Sequence, residues 1–150
     1  MSIAIWLILL ASPFETHADE PVTGIFLTVE CRKDVPKRRE MLTGKAICVT
    51  QSPIIYPKEF ETIGKVTDIG LNVYFEVKFT KPGYETLLKL TKGMPDARMA
   101  LVVNDEVFAL FKSSDVLQGR TCRFQTFVKN KEIMEDVQRQ LVSAMAAAAG

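Results

Sequence analysis

Alternating apolar and polar residues indicate a β-strand over residues 71–79. The odd positions of this range are all apolar, from Leu71 to Phe79, and the even positions are Asn, Tyr, Glu and Lys. Successive side chains of a strand point to opposite faces of its sheet. The pattern therefore predicts a strand with one face on the core, to which Val73 and Phe75 belong.

The apolar spacing changes from two to about 3.6 residues directly after this strand. Thr80 is a suitable helix cap, Pro82 fits a first helical turn, and Gly93 fits a helix end. These residues predict a helix over 80–93 that buries Leu87. A second helix is predicted after Asn130, which would cap it. Its apolar stripe consists of Ile133, Val137, Leu141 and Ala144.

Shorter apolar segments predict five further strands. They span residues 24–31, 46–49, 98–103, 107–111 and 121–128. The turn residues Asn104 and Asp105 join two of these segments into a hairpin. Pro36 is expected to begin a short helix that runs through Met41, and Ser113 to Asp115 are expected to form one short turn.

The order of these elements indicates an α+β fold. One helix connects the strands at 71–79 and 98–103, which predicts a right-handed parallel βαβ unit, and the hairpin adds antiparallel pairing. We therefore expect a mixed β-sheet with helices packed on one face, of ferredoxin-like type. The expected core residues are Val73, Phe75, Leu87, Leu101 and Val137.

The N-terminal segment differs in composition from the rest of the chain. Residues 2–11 are uncharged and apolar, and a polar stretch ending at Ala18 follows them. Ten residues are too few to span a bilayer, but they suit the apolar core of a signal peptide. The alternative is a buried first strand or helix, because no Lys or Arg precedes the apolar segment. The first reading predicts a signal peptide at 1–18, a single domain at 19–150, and a periplasmic or secreted location.

Composition and charge argue against several functions. The formal net charge of the 150-residue chain is only +1, which disfavours a nucleic-acid binder. Cleavage after Ala18 would remove the one histidine, His17, and with it the usual Ser-His, Cys-His and zinc chemistry. Asp105 and Glu106 are the best acidic pair, but turns favour Asp for conformational reasons. We expect no catalytic residues, no cofactor and no metal.

Three cysteines remain, at positions 31, 48 and 122. Each lies in an apolar segment, and their spacing matches no metal or redox motif. We expect them to be small buried residues, with a disulfide between Cys31 and Cys48 as the main alternative.

Two groups of residues are candidates for binding a partner. The first lies in the cation-rich stretch 32–45 and includes Lys37, Arg38 and Arg39, which could attract an acidic partner or lipid headgroups, although such stretches also occur as ordinary solvated surface. The second group comprises Phe108, Phe111 and Phe127, which could form apolar pockets for a bound segment. Phe127 shares a strand face with polar residues, so it is either exposed or packed under a loop or the last helix.

Residues 79–111 resemble the head part of the first periplasmic domain of the SecD protein-translocase subunit. The shared features are the Thr80-to-Gly83 helix start, the amphipathic helix, the apolar strand at 98–103 and the hairpin; residues 117–124 resemble the family's Gly-Gly strand start. The resemblance covers about residues 54–146. The chain departs from the family at three positions, where Asn104-Asp105 replaces Asp-Gly, Phe111 replaces Pro, and Arg120 replaces the second Gly.

The resemblance implies a free-standing head module that holds extended polypeptide or a protein partner, without catalysis and without the membrane helices of SecD. Two alternatives remain open. A secreted inhibitor of another protein would have the same physical properties, and a small enzyme would need carboxylate or thiol chemistry. No nucleic-acid partner and no membrane span after signal cleavage are expected.

Overall fold

The computed structural model describes residues 21–116 and 119–150, and these residues form an α+β structure, as predicted. The predicted signal peptide at 1–18 lies outside the described residues and stays a prediction. The strands are β1 (Gly24–Leu27), β2 (Lys37–Arg39), β3 (Ala46–Cys48), β4 (Phe60–Ile63), β5 (Thr67–Ile69), β6 (Asn72–Phe79), β7 (Arg98–Val103), β8 (Glu106–Lys112) and β9 (Thr121–Phe127). The α-helices are α1 (Lys81–Gly93) and α2 (Lys131–Ala149), and single 3-10 turns span Pro57–Glu59, Ser113–Asp115 and Val128–Asn130.

Strand β6 is the centre of the first sheet. It pairs antiparallel with β9 along one edge and with β4 and β5 along the other. Its odd residues are buried and its even residues are partly exposed, which confirms the predicted alternation. Leu71 departs from it, because it precedes the strand and is 79% exposed.

The second sheet contains β1, β7 and β8, all antiparallel. The predicted parallel βαβ unit is therefore wrong, since α1 connects β6 to a strand of a different sheet. The isolated bridge between Glu40 and Val107 is parallel, but every strand ladder in the described residues is antiparallel. Met99–Val103 are all buried, a pattern that is typical of parallel strands, but here two apolar clusters cover the two faces of an antiparallel strand.

The two faces of β7 belong to different apolar clusters. Met99, Leu101 and Val103 join the main core, together with the apolar face of β6. Ala100 and Val102 join a second cluster on the other side of the sheet, which also contains Phe26, Val49 and Val107. This second cluster is covered by the hairpin formed by β2 and β3.

The β2–β3 hairpin replaces the helix that was expected from Pro36 to Met41. Lys37–Arg39 form a strand paired with Ala46–Cys48, and a disulfide connects Cys31 to Cys48 with their Cα atoms 5.3 Å apart. The disulfide and the pairing hold this segment extended over the second cluster. The proline signal for a helix start was therefore overridden by tertiary structure.

Both helices pack against the main core, with one change from the predicted stripes. The Thr80 hydroxyl accepts a hydrogen bond from the Gly83 N–H at 3.3 Å, which confirms the predicted cap of α1. In α2 the buried residues are Met134, Val137 and Leu141, whereas Ile133 is 39% exposed. Asn130 stands at the cap position of α2, but its side chain makes no capping hydrogen bond and donates instead to the Thr126 hydroxyl at 3.2 Å.

The β7–β8 hairpin turns through two residues in the left-handed region. Asn104 has φ 46° and Asp105 has φ 72°, the signs that a type I′ turn requires. Asn and Asp tolerate this conformation better than other non-glycine residues. The predicted hairpin is therefore confirmed, and its Asn-Asp sequence serves in place of a glycine.

The substitution Phe75→Ala tests the core. The Phe75 ring lies 6.0 Å from the Phe108 ring and 5.7 Å from the Phe124 ring, measured between centroids, and it is fully buried. Its loss should lower the free energy of unfolding by about 3–5 kcal/mol in urea denaturation. Leu71→Ala is the exposed control and should change that free energy by less than about 0.5 kcal/mol. A loss below about 1 kcal/mol for Phe75→Ala would contradict this description of the core.

Candidate functional site

Two of the three predicted partner-binding phenylalanines belong to the core. Phe108 is 5% exposed and Phe111 is 9% exposed. The Phe111 ring packs edge-on against Phe124 with centroids 5.3 Å apart, and Phe108 stacks on Phe75. The expectation that these residues form surface pockets is therefore wrong, because the two sheets bury them between their layers.

Phe127 is the one of the three that lies on the surface, with 62% of the residue exposed. It ends β9 on the sheet face opposite the helices, which we call the outer face. Leu71, Phe127, Val128 and Lys129 line a shallow depression of about 310 Å³, which we call the Phe127 pocket. The Lys129 ammonium lies 5.9 Å from the centre of the Phe127 ring.

The strand β9 has one paired edge and one edge without a strand partner in the described residues. Two backbone hydrogen bonds establish which groups point to each edge: the Phe79 N–H donates to the Arg120 carbonyl, and the Val128 N–H donates to the Leu71 carbonyl. In this antiparallel register the even residues of β9 bond to β6. The N–H and C=O groups of the odd residues, Thr121, Arg123, Gln125 and Phe127, therefore point to the unpaired edge.

Polar pairs occupy the middle of the outer face. The Arg123 guanidinium lies 4.1 Å from the centre of the Tyr74 ring and within 2.9 Å of a Glu76 carboxylate oxygen. Toward the Phe127 end, two rows of neighbouring residues carry no charge. These rows are Thr67, Tyr74 and Gln125, followed by Ile69, Asn72 and Phe127.

Several cations of the stretch 32–45 form ion pairs with acidic residues of the same protein. An Arg38 Nη atom lies 2.9 Å from an Asp105 carboxylate oxygen, and its guanidinium lies 5.1 Å from the centre of the Phe26 ring. Arg39 lies 3.7 Å from a Glu106 oxygen. Lys37 is exposed and makes no ion pair within residues 21–116 and 119–150. The acidic turn Asp105-Glu106 is thus the counterpart of Arg38 and Arg39, a role that the sequence did not indicate.

The cysteines divide into a disulfide and one buried thiol. Cys31 and Cys48 form a disulfide, which is the alternative that the sequence left open. The expectation that all three cysteines are free and buried is therefore wrong for this pair. Cys31 is exposed and Cys48 is buried. Burial raises the pKa of the Cys122 thiol to about 12, and the charge of Asp115 adds to this shift. Such a thiol is protonated near neutral pH and is a poor nucleophile.

Two structural features bear on other classes of function. In the described part of the chain, no three His, Cys, Asp or Glu residues are grouped so that they could bind a metal ion. Among the helices of residues 21–116 and 119–150, none combines the length and apolar character that a membrane crossing needs.

The fold is similar to that of a solved structure of SecDF. No protein-family model and no curated protein matches the chain. The crystal structure of SecDF in its super-membrane-facing form is similar to it with a TM-score of 0.62 and 12% sequence identity. The similarity covers 83% of this chain and 19% of the SecDF chain. At this identity it shows a SecD-like fold alone, and the chain spans less than a fifth of SecDF.

Two residues just before β9 have positive φ angles. Gly119 has φ 91° and Arg120 has φ 67°, so both residues adopt the left-handed conformation that a Gly-Gly pair would adopt readily. Arg120 keeps this conformation while its guanidinium lies 3.3 Å from a Glu61 oxygen. Arg120 thus holds a conformation that glycine would adopt with less strain.

The substitution Arg38→Met tests whether this cation is structural. It should lower the free energy of unfolding by about 1–3 kcal/mol, because it removes a charged hydrogen bond to Asp105 and the contact with Phe26. Arg39→Met is the matched control. Its longer contact to Glu106 is mostly exposed, so its loss should cost less than about 0.5 kcal/mol. Equal values for the two variants would refute a structural role for Arg38.

The reactivity of Cys122 tests the environment of the thiol. A thiol-specific chromogenic disulfide at pH 7 should leave the folded, unreduced protein unmodified, because the raised pKa and burial suppress the thiolate. The same protein in concentrated guanidinium chloride should release one equivalent of chromophore, since Cys31 and Cys48 are bonded to each other. Rapid labelling of the folded protein would return thiol chemistry to consideration.

Proposed function

We propose that this protein is a non-catalytic binding module, periplasmic or secreted, that holds an extended polypeptide segment of a protein linked to export. The observation that carries the proposal is the unpaired edge of β9, which ends at the exposed Phe127 pocket. A SecD-like fold supports the connection with protein transport.

The unpaired edge has the groups that strand addition requires. Four residues of β9 direct their N–H and C=O groups toward the unpaired edge, in the plane of the sheet. An extended segment placed beside them would satisfy these groups and continue the sheet. Main-chain hydrogen bonds depend little on sequence, which suits the capture of varied polypeptides. The side chains that such a segment would meet on the outer face are Arg123, Gln125 and Phe127.

The helices α1 and α2 pack on the sheet face opposite the outer face. The residues of α1 and α2 that pack on the sheet belong to the main core on the opposite face, together with Phe75 and Phe124. Natural edge strands that must not bind are often shielded by inward-pointing charges, prolines or bulges. β9 has none of these between Thr121 and Phe127: it contains no proline, its inward residues Cys122 and Phe124 are apolar, and its register with β6 is unbroken.

The disulfide supports the proposed location. Disulfides form and persist in oxidising compartments and are rare in the reducing cytosol. The Cys31–Cys48 bond therefore agrees with a chain that reaches the periplasm or the exterior, as the predicted signal peptide at 1–18 would allow.

Amide hydrogen exchange tests strand addition residue by residue. In the free protein the N–H groups of Cys122, Phe124 and Thr126 should exchange slowly because they bond to β6. Those of Arg123, Gln125 and Phe127 should exchange quickly. Reduced, carboxymethylated α-lactalbumin, a permanently unfolded chain, should slow exchange at the second set by about tenfold or more at saturation. Folded α-lactalbumin is the control and should change neither set.

The variant Gln125→Pro links this protection to the edge. The Gln125 N–H points outward, so proline removes no hydrogen bond to β6 and is tolerated on an edge strand. It should fold, as urea denaturation would verify, but bind the unfolded chain at least about tenfold more weakly. Gln125→Thr keeps the donor and is the matched control. Unchanged binding by folded Gln125→Pro, or no protection in the original chain, would overturn the proposal.

A further inference from the structure

We propose that the Phe127 pocket selects, within the bound strand, an apolar side chain that has a carboxylate close to it. This preference rests on the proposed function, because it specifies which segments the β9 edge would hold most tightly. The partner is thus defined as an extended peptide with an apolar anchor and a neighbouring negative charge.

The position of the apolar anchor follows from the register. A strand added to β9 would place one residue directly opposite Phe127, with its side chain on the same outer face about 4.5–5.5 Å away between Cβ atoms. That side chain would pack on the Phe127 ring from the unpaired side of β9, next to the depression that Phe127 lines with Val128 and Lys129. Leu71 and Phe127 are among the most exposed apolar residues of the described chain, at 79% and 62%. An apolar guest would cover the exposed Phe127 ring, whereas a polar guest would lose its hydration without gaining a partner.

The charge of the partner follows from the cations around the pocket. Lys131 lies 3.0 Å from an Asp68 oxygen, and Arg123 lies 2.9 Å from a Glu76 oxygen, so both are already paired. Lys129 lines the pocket itself and makes no ion pair within the described residues. The two rows of outer-face residues beside it carry no carboxylate. A negative group on the guest would therefore meet one available cation.

The neighbouring surface would not serve a strongly basic guest or a bilayer equally well. A basic segment would bring like charge to Lys129 with no acidic group in the two nearest rows. A membrane surface would require several available cations around the apolar residues, since one cation contributes only about 1 kcal/mol of attraction to anionic lipid. The polar residues Asn72 and Gln125 on the same face suit a peptide backbone and its side chains better.

Fluorescence anisotropy with defined peptides tests the selection. The probe is a fluorescein-labelled, C-terminally amidated heptapeptide, Ser-Glu-Thr-Leu-Thr-Glu-Ser, whose symmetric pattern places a Glu toward Lys129 in either strand direction. Replacing the central Leu by Ser, or introducing Phe127→Ser into the protein, should weaken binding by about tenfold or more. Replacing both Glu by Gln should weaken it by about two- to fivefold at low ionic strength.

A charge exchange isolates Lys129. The variant Lys129→Glu should bind the Glu peptide about fivefold more weakly and should prefer a peptide in which both Glu are replaced by Lys. Lys89→Glu is the matched control, because Lys89 is exposed on α1, across the sheet from the outer face, and should leave both affinities unchanged. A second peptide, Ser-Gln-Thr-Leu-Thr-Gln, has no Glu and ends in a free carboxylate two residues after Leu. Its affinity distinguishes a preference for a terminal carboxylate from a preference for an acidic side chain.

The outcomes separate this inference from the function on which it rests. If all peptides bind equally and Phe127→Ser has no effect, while the odd amides of β9 are still protected, strand addition stands and the selection is refuted. Retention of the Glu peptide preference by Lys129→Glu would refute the role of the charge. Absence of peptide binding together with absence of amide protection would overturn both proposals. Binding to anionic vesicles, with no binding of any of the peptides, would favour a lipid surface and refute the peptide.

Discussion

The burial of one face of β6 is the constraint on which the rest of the structure depends. Val73, Phe75, Val77 and Phe79 place four apolar side chains on one side of the first sheet, and each is at most 1% exposed. The Phe75 ring contacts Phe108 of β8 and Phe124 of β9. Three strands from distant parts of the chain therefore meet at this residue. The helices and the second sheet are arranged as cover for this face. Because the strand has period two, burying this side necessarily turns its polar residues outward.

That division between two faces also limits where the proposed partner would bind. The covered side uses its aromatic residues for packing, so Phe108, Phe111 and Phe124 are unavailable on the surface. On the outer face of the described residues, the most exposed apolar side chains lie near the end of β9, at Phe127 and Leu71. The binding proposal thus concerns the part of the first sheet that the core does not need. Substitutions there should change recognition with little effect on folding.

Local patterns predicted elements better than they predicted neighbours. The alternation around Phe75 and the helical spacing around Val137 each depend on burial of one side, so both appear directly in the sequence. The pairing of β6 with β9 connects residues about fifty positions apart, and no local pattern specifies that partner. Phe108 and Phe111 were misassigned because alternation does not show whether a second layer covers a strand face. The ion pairs of Arg38 and Arg39 do not appear in any local pattern, because their partners, Asp105 and Glu106, are distant in sequence. Phe127 is exposed, which is one of the two alternatives that its position among polar residues left open.

The cover over the second apolar cluster has a consequence for handling the chain outside its oxidised state. Phe26, Val49, Ala100, Val102 and Val107 are shielded by a hairpin of two three-residue strands, which is too small to be stable by itself. The Cys31–Cys48 bond ties that hairpin to the segment following β1. Loss of the bond weakens the shield while leaving the main core intact, so a reduced chain would keep most of its secondary structure yet expose a strip of β1, β7 and β8. Such a chain is expected to self-associate at concentrations where the oxidised chain stays in solution without associating. The redox state of a disulfide remote from β9 would then control the association state of the protein.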